Sequence, residues 1–222
     1  MSVALRPSDP SVSLARACRW RFVSEAVRAA AVHDLRMQTS SPVIELFADV
    51  EQPALLATIW GARPGSEPAS DPWPPGLAAG AEVEWVADAE IMARWRASGS
   101  GEPGCLVVVR QPLIRPDNGA QRDWAATVLR ALDGDPLPPA GLLTANFFAS
   151  RDGGSVLNFA EWTSPAAHRD ALTRGSYGQH GSIGASALWR ATREHPAITP
   201  DHEVHRYVPC SRRSHPKTDE AA

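Results

Sequence analysis

The stretch LNFAEWTSPAAHRDAL, residues 157–172, changes its hydrophobic period partway along. Its first part alternates as a strand does, because successive side chains of a strand point to opposite faces. Ser164 and Pro165 then follow, a capping residue and a proline at the first helical position, which are typical of the start of a helix. The stretch therefore predicts a strand that passes directly into a short helix, with Asn158 and Trp162 on one face of the strand.

The residues on either side of this stretch extend the pattern. A β-branched run predicts a first strand, an amphipathic segment predicts a helix, and a glycine-containing turn predicts a hairpin. The order β-α-β-β-α-β is that of a ferredoxin-like unit. The unit begins with a strand over 104–114, followed by a helix that Asp117 or Asn118 caps and that ends at Gly134. A strand from Gly141, a turn over 151–154 and the quoted strand and helix come next. A further helical piece around Trp189 and a last strand over 201–210 complete it.

Residues 12–97 repeat this order in degenerate form. A strand, a capped helix and a hairpin follow one another, and this hairpin ends in Trp60 as the later one ends in Trp162. In this match Leu56 stands at the place of Asn158. We therefore expect the polar site to lie in the second half alone.

A proline-rich loop over 62–80 stands where the first half would need its second helix. Proline inside a helix removes a backbone hydrogen bond and clashes with the preceding turn, so this segment cannot hold a regular helix. We expect residues 1–11 and 211–222 to be flexible tails. The sequence thus predicts an α+β protein in which two tandem ferredoxin-like units, 12–97 and 104–210, form an intrachain α+β barrel.

Charge and cysteine content exclude several classes of function. The 222-residue chain has 22 Lys and Arg against 25 Asp and Glu, a balance that does not suit nucleic acid as a partner. No apolar run approaches the about 18 residues of a membrane span, and the N-terminus lacks a secretory signal pattern. The sparse cysteines Cys18, Cys105 and Cys210 do not form a disulfide framework and indicate reduced thiols in a cytoplasmic protein.

The face that carries Asn158 and Trp162 has the chemistry of a binding site. The two residues lie about 13 Å apart along the strand, at about 3.3 Å per residue, with the small Ala160 between them. If the following helix packs back over this face, the imidazole of His168 joins its wall. An amide, an indole and a gap between them suit a flat aromatic ligand.

These residues resemble the antibiotic biosynthesis monooxygenase family. The shared features are the spacing Asn-x3-Trp-x5-(Tyr or His), here Asn158, Trp162 and His168, and its placement on the second strand–helix unit of a ferredoxin-like domain. The resemblance covers about residues 104–210 well and 16–96 faintly. It implies a dimeric α+β barrel that tailors aromatic polyketides, mostly in actinomycetes, with the Asn and Trp binding substrate and supporting oxygen chemistry.

The reaction that the resemblance implies needs neither metal nor bound cofactor. A phenol or activated methylene loses a proton, its anion reduces dioxygen by one electron, the radicals combine to a peroxide, and loss of water yields a quinone. Asn158 and Trp162 can donate hydrogen bonds to the developing oxyanion. His168 stands where such members often carry Tyr, and an imidazole with an ordinary pKa near 6.5 is a chemically reasonable base.

Four further residues are candidates for substrate binding. Asn146 and Phe148 share a face of the preceding strand, and His205 and Tyr207 share a face of the last one. We expect some of these side chains to line the same pocket as the Asn–Trp–His set.

Two other segments that contain histidines are weaker candidates for a functional site. His180 lies in the Gly-rich run GSYGQHGS, a possible lid or a surface insertion, and no lysine follows as a phosphate loop requires. His202 and His205 flank Glu203, but a strand would put the two histidines on opposite faces. We expect no metal site.

Several functions remain open at this stage. One is a ring-cleaving oxygenase of the same fold that uses reduced flavin as a diffusible cosubstrate. Others are a polyketide cyclase and a non-catalytic partner that binds a polyketide. We expect a small aromatic substrate and dioxygen as partners, and either a monomer with a pseudo-dimeric barrel or a homodimer.

Overall fold

The computed structural model describes residues 6–38, 44–61, 73, 80–99, 101–134, 139–175 and 186–210. Twelve helices and strands lie within these ranges. In chain order they are β1 (Leu14–Phe22), α1 (Glu25–Gln38), β2 (Ile44–Asp49), β3 (Ala54–Gly61), β4 (Ala81–Arg96), β5 (Cys105–Pro112), α2 (Asn118–Gly134), β6 (Leu142–Ser150), β7 (Ser155–Trp162), α3 (Pro165–Gly175), α4 (Ala187–Arg193) and β8 (Glu203–Pro209).

The eight strands close into one antiparallel barrel in the order β1-β3-β2-β8-β5-β7-β6-β4. Each half contributes four adjacent strands in the same order: β4-β1-β3-β2 from the first half and β8-β5-β7-β6 from the second. The halves meet where β2 pairs with β8 and where β4 pairs with β6. The predicted fold class, two ferredoxin-like units forming an intrachain α+β barrel, is confirmed, while the sequence repeat itself stays a prediction.

The alternation of each strand divides the apolar residues between the inside and the outside of the barrel. Leu56, Trp60, Phe148, Phe159 and other inward side chains fill the barrel interior. The outer face of the second half packs against α2, α3 and α4, and the outer face of the first half packs against α1. Most strands therefore have two buried faces, whereas β4 leaves Val83 and Val86 exposed. The face on which a side chain lies decides which core it joins.

Helix-start signals in the sequence are confirmed at α2 and α3 of the second half. Asp117 accepts hydrogen bonds from the backbone N–H groups of Gly119 at 2.7 Å and Ala120 at 3.0 Å, and these bonds lower the pKa of its carboxyl. The Ser164 hydroxyl accepts from the backbone N–H of Ala167 at 3.1 Å, so α3 begins directly after β7 as the quoted stretch predicts.

The match between the two hairpins is wrong by one residue. Leu56 and Trp60 point into the barrel, whereas Trp162 points to the helix-covered outer face together with Ala160. A shift of one residue moves every side chain of a strand to its other face. Leu56 is therefore not the counterpart of Asn158, nor Trp60 that of Trp162.

The structure describes only part of the segments that were expected to be loops or tails. Residues 6–11, expected to be part of a flexible tail, instead form a turn in which Asp9 N–H donates to the carbonyl of Arg6 at 2.9 Å. Arg94 holds this segment by donating to the carbonyl of Asp9 at 3.3 Å. The tail at 211–222, the loop at 62–80 apart from Trp73 and Gly80, and His180 with its Gly-rich run lie outside the described residues.

No helix in the described part of the chain is long and apolar enough to cross a membrane.

Candidate functional site

The junction of β7 and α3 brings Trp162 and His168 into contact. Their ring centroids lie 4.8 Å apart with the planes at 74°, an edge-to-face arrangement. Both are deeply buried, with 2% of Trp162 and 3% of His168 exposed. Because only Thr163 and Ser164 separate α3 from the end of β7, the helix folds back over the outer face of the sheet and places the imidazole against the indole.

The His168 ring is neutral and its tautomer follows from its hydrogen bond. Its Nδ1 accepts from Nε of Arg206 at 2.9 Å, so the ring proton sits on Nε2. Burial, followed by the nearby cations of Arg206 and Arg169, lowers the pKa of His168 to about 3. The expectation of a base titrating near pH 6.5 is wrong, and the ring is instead a hydrogen-bond donor through Nε2.

A glutamate from the first half of the chain reaches this site. Glu51 follows β2, and its two carboxylate oxygens accept from the Arg206 guanidinium at 2.8 and 2.9 Å. The same carboxylate lies 3.2 Å from Arg169, the residue after His168. Glu51 was not among the residues that the sequence singled out, because nothing near it in the chain indicates a partner 155 residues away.

The indole N–H of Trp162 is buried, and no described residue accepts its hydrogen bond. A buried donor without an acceptor costs about 1–3 kcal/mol relative to one that is satisfied. Such groups are rare in folded proteins and call for a reason. A ligand oxygen at this point would supply the missing acceptor.

Asn158 shares this face of the strand and is partly exposed. Its side-chain oxygen accepts from the backbone N–H of Asn146 on the neighbouring strand at 3.1 Å. That contact occupies the amide oxygen and leaves the NH2 group as the donor half of the side chain. Asn158 and Trp162 thus share the helix-covered face, as the alternation of β7 predicts, and α3 places His168 against Trp162 on that side.

The four additional candidates lie on the other side of the sheet. Phe148 and Tyr207 belong to the barrel interior, and His205 and Asn146 point the same way because they alternate with outward residues. Asn146 donates to Thr144 Oγ1 at 3.0 Å and to the carbonyl of Phe159 at 2.9 Å. The expectation that some of these side chains line one pocket with Trp162 and His168 is therefore wrong, because the sheet separates the two sets.

A buried polar network inside the barrel accounts for two of those residues. Arg19, fully buried, donates to Asp49 at 2.9 Å and to the hydroxyl of Tyr207, and also pairs with Glu84. Nδ1 of His205 lies 3.2 Å from the same Asp49 carboxylate. Burial raises the pKa of the Tyr207 hydroxyl, so Tyr207 is a neutral hydrogen-bond partner here. The network is a structural one that ties together strands of both halves.

Cys105 stands opposite Trp162 in the β5–β7 pair. Burial raises the pKa of its thiol to about 11, so it is not a thiolate nucleophile near neutral pH. Within the described ranges, no three His, Cys, Asp or Glu side chains come together as a metal site would require.

Comparison with known proteins identifies the fold. No protein-family profile and no curated protein sequence matches the chain. A solved structure of an anthrone oxidase-like protein matches with a TM-score of 0.63 at 11% identity, covering 93% of this chain and 94% of that one. A candidate monooxygenase from Lactobacillus acidophilus NCFM matches with a TM-score of 0.53 at 9% identity, covering 89% and 94%.

A candidate monooxygenase from Fusobacterium nucleatum has a TM-score of 0.52 at 9% identity, with 90% of this chain and 93% of that one covered. At such identities the likeness shows a shared fold. It is the fold that the resemblance to antibiotic biosynthesis monooxygenases implies.

Proposed function

We propose that this protein is an oxygenase that converts a phenolic anthrone, or a related polycyclic aromatic polyketide, to a quinone with dioxygen in antibiotic or pigment biosynthesis. The observation that carries the proposal is the buried indole N–H of Trp162, which lacks an acceptor among the described residues and lies against the neutral ring of His168. A planar phenol with an oxygen at this point satisfies the donor and packs its ring on the apolar surroundings.

The side chains of this face are suited to stabilising an anion. The Trp162 indole, the Nε2–H of His168 and the Asn158 amide are all neutral donors, and none carries a formal charge. Neutral donors held in place by the fold stabilise a phenolate or enolate more strongly in a buried site than water does. A neutral imidazole acting as a donor is an established arrangement in enzymes that handle enolates.

The proposed chemistry balances without a bound cofactor. The anthrone methylene loses one proton, and its anion transfers one electron to dioxygen to give superoxide and a carbon radical. The two radicals form a C–O bond, and protonation gives a hydroperoxide. Loss of water with the remaining C–H proton leaves the quinone carbonyl, so one dioxygen and one anthrone yield one quinone and one water.

The fold supports this proposal by likeness, since a solved structure that shares it is described as anthrone oxidase-like. A cytoplasmic location is part of this proposal, because three sparse, widely spaced cysteines are not the disulfide framework of a secreted protein. The single closed barrel removes the sheet edges that lead separate chains to pair, so we propose that one chain carries a complete site.

Oxygen uptake with a hydroxylated anthrone tests the proposal. We expect the purified protein to consume one dioxygen per quinone formed, in the presence of a metal chelator and without flavin, and without releasing hydrogen peroxide. Uptake only when reduced flavin is supplied would replace this mechanism by the flavin-dependent one. A cyclised product formed without oxygen uptake would indicate a cyclase, and tight binding of the anthrone without turnover would indicate a non-catalytic partner.

A further inference from the structure

A chain of contacts leads from the first half of the protein to the ring of His168. Glu51 holds Arg206 through two hydrogen bonds, and Arg206 donates from Nε to Nδ1 of His168. His168 in turn lies edge-to-face against Trp162. The described contacts therefore run from the β2–β3 turn through β8 to α3 and β7.

The β2–β3 turn that carries Glu51 is itself fixed. Asp49 Oδ1 accepts from the backbone N–H groups of Glu51 at 2.8 Å and Gln52 at 3.1 Å. The backbone N–H of Val50 donates to the carbonyl of Arg206 at 3.0 Å. Backbone and side-chain bonds thus hold the turn against β8. Both oxygens of the Glu51 carboxylate accept from Nη1 of Arg206, a charge-assisted contact that leaves Nε of the same guanidinium to donate to His168.

A guanidinium that is held in this way determines the state of the imidazole beside it. Arginine has only donors and does not lose its proton at ordinary pH, so the nitrogen that faces it must be an unprotonated acceptor. A neutral imidazole carries a single N–H proton. Because Nδ1 is the acceptor, that proton is on Nε2. Without the guanidinium, either nitrogen of a buried imidazole can carry the proton.

We propose that Glu51 and Arg206 are positioning residues that lock His168 in its Nε2–H tautomer, so that the first half of the chain controls a hydrogen-bond donor at the candidate site in the second. The catalytic meaning of this lock rests on the proposed function, whereas the lock itself does not. The first half of the chain therefore does more than close the barrel, because its β2–β3 turn supplies the carboxylate that orients the site.

The groups around His168 agree with this assignment. Arg206 comes from β8, Arg169 from α3 itself and Glu51, which contacts both arginines, from the β2–β3 turn. The two cations next to the ring oppose a second ring proton, and the one carboxylate in the group is engaged by both of them. The ring therefore stays neutral while the arginine decides which nitrogen is protonated.

Nitrogen NMR of the whole protein with labelled histidine tests the lock without any substrate. The chain has seven histidines, and the His168 signals are assigned from the spectrum of His168→Gln. In the wild type we expect the Nδ1 signal at the position of an unprotonated ring nitrogen and Nε2 at that of a protonated one, with no titration between about pH 5 and 8. In Arg206→Gln we expect both tautomers to be populated and the titration midpoint to rise by about one pH unit or more.

Two further variants separate the roles within the contact chain. Glu51→Gln keeps the size of the side chain but removes its charge, and we expect it to release Arg206 and populate the second tautomer. Arg169→Gln is the matched control, since Arg169 also contacts Glu51 but makes no hydrogen bond to His168, and we expect the wild-type tautomer to persist. A wild-type ring protonated on Nδ1, or an unchanged tautomer in both Arg206→Gln and Glu51→Gln, would overturn the proposal.

Activity measurements distinguish this inference from the proposed function. If both are correct, Arg206→Gln and Glu51→Gln lower kcat for anthrone oxidation by about tenfold or more, the scale of one lost oriented hydrogen bond, and Arg169→Gln does not. If the NMR result is as expected but no variant or wild-type protein oxidises an anthrone, the positioning role stands and the proposed function fails. If the wild type oxidises an anthrone and the tautomers do not respond, the function stands and the lock fails.

Discussion

Trp60 and Trp162 lie near or at the end of a strand, and their indole N–H groups have different surroundings. Inside the barrel, Nε1 of Trp60 donates to Glu45 at 3.0 Å. On the outer face, Nε1 of Trp162 is buried without an acceptor among the described residues. At the scale of single residues, then, the protein satisfies the indole N–H of Trp60, whereas that of Trp162 has no acceptor among the described residues.

Replacing each tryptophan by phenylalanine exploits this difference, because the steric change is the same at both positions. Both variants lose the same buried volume, so only the hydrogen bond distinguishes them. We expect Trp162→Phe to lower kcat/KM for anthrone oxidation about tenfold or more. We expect Trp60→Phe to destabilise by about 1.5–3 kcal/mol more than Trp162→Phe, through the lost bond to Glu45, and to leave kcat/KM close to the wild-type value. Urea unfolding and oxygen uptake measure both. Equal losses of activity in the two variants would contradict the assignment.

The low pKa of His168 predicts a pH-dependent stability whose sign can be worked out. In the unfolded chain an imidazole takes up a proton below about pH 6.5, whereas the folded ring does so only near its pKa of about 3. The unfolded state thus binds more protons between these values, so the free energy of unfolding falls as the pH falls through this window.

We expect His168→Gln to remove that part of the pH dependence, because Gln keeps an acceptor for Arg206 but does not titrate. Between about pH 6 and pH 4 the wild type should lose about 1.4 kcal/mol more per pH unit than the variant. Urea unfolding at several pH values measures the two slopes. Parallel slopes would show that the ring is protonated normally in the folded protein.

At the scale of elements, the start of α3 decides where His168 lies. Two residues separate the helix from the end of β7, and the Ser164 hydroxyl accepts from the backbone N–H of Ala167 at 3.1 Å. The start of α4 is similar, since Ser186 accepts from the backbone N–H of Trp189. The two caps are chemically alike, but only α3 carries a residue of the candidate site.

Removing each cap therefore separates a stability effect from a positioning effect. We expect Ser164→Ala and Ser186→Ala each to destabilise by about 1 kcal/mol, the usual value of an N-cap. Ser164→Ala should in addition lower kcat, because the first turn of α3 holds His168 against Trp162, whereas Ser186→Ala should keep the wild-type kcat. Thermal melts and oxygen uptake test this pair, and an equal fall of kcat in both variants would argue against a positioning role for the start of α3.

At the scale of the whole molecule, a buried ionic network connects the halves inside the barrel. Arg19 of β1 contacts Asp49 of β2, Glu84 of β4 and Tyr207 of β8, and Asp49 lies 3.2 Å from His205 of β8. Burial opposes the charge on Asp49, but hydrogen bonds from His205, Glu51 N–H and Arg19 outweigh it and lower the pKa of its carboxyl. The network includes β2 and β8, which form one of the two junctions between the halves.

We expect Arg19→Met to destabilise the protein by about 3–5 kcal/mol, because it leaves the buried carboxylate of Asp49 without its guanidinium. The double variant Arg19→Met with Asp49→Asn should recover part of the loss, since the uncompensated charge is then gone. Urea unfolding of the wild type, both single variants and the double variant forms a complete cycle. Additive losses, with no recovery in the double variant, would contradict a coupled network.

The local parts of this structure could be predicted from the sequence. The helix over Glu25–Gln38, the cap at Asp117, the turn at 151–154 and the passage from β7 into α3 all depend on residues within a few positions of one another. Alternation along β7 likewise placed Asn158 and Trp162 on one face. The order of these elements was enough to predict two ferredoxin-like units in one barrel.

What only the tertiary structure decided depends on register and on contacts between distant segments. The two hairpins look alike in sequence, yet a shift of one residue turns Trp60 inward and Trp162 outward, and this register is set by pairing with neighbouring strands. The pKa of His168 and its tautomer depend on Arg206, and Arg206 depends on Glu51, 155 residues earlier in the chain. No local pattern encodes such a contact, because it exists only when the closed barrel brings β2 beside β8.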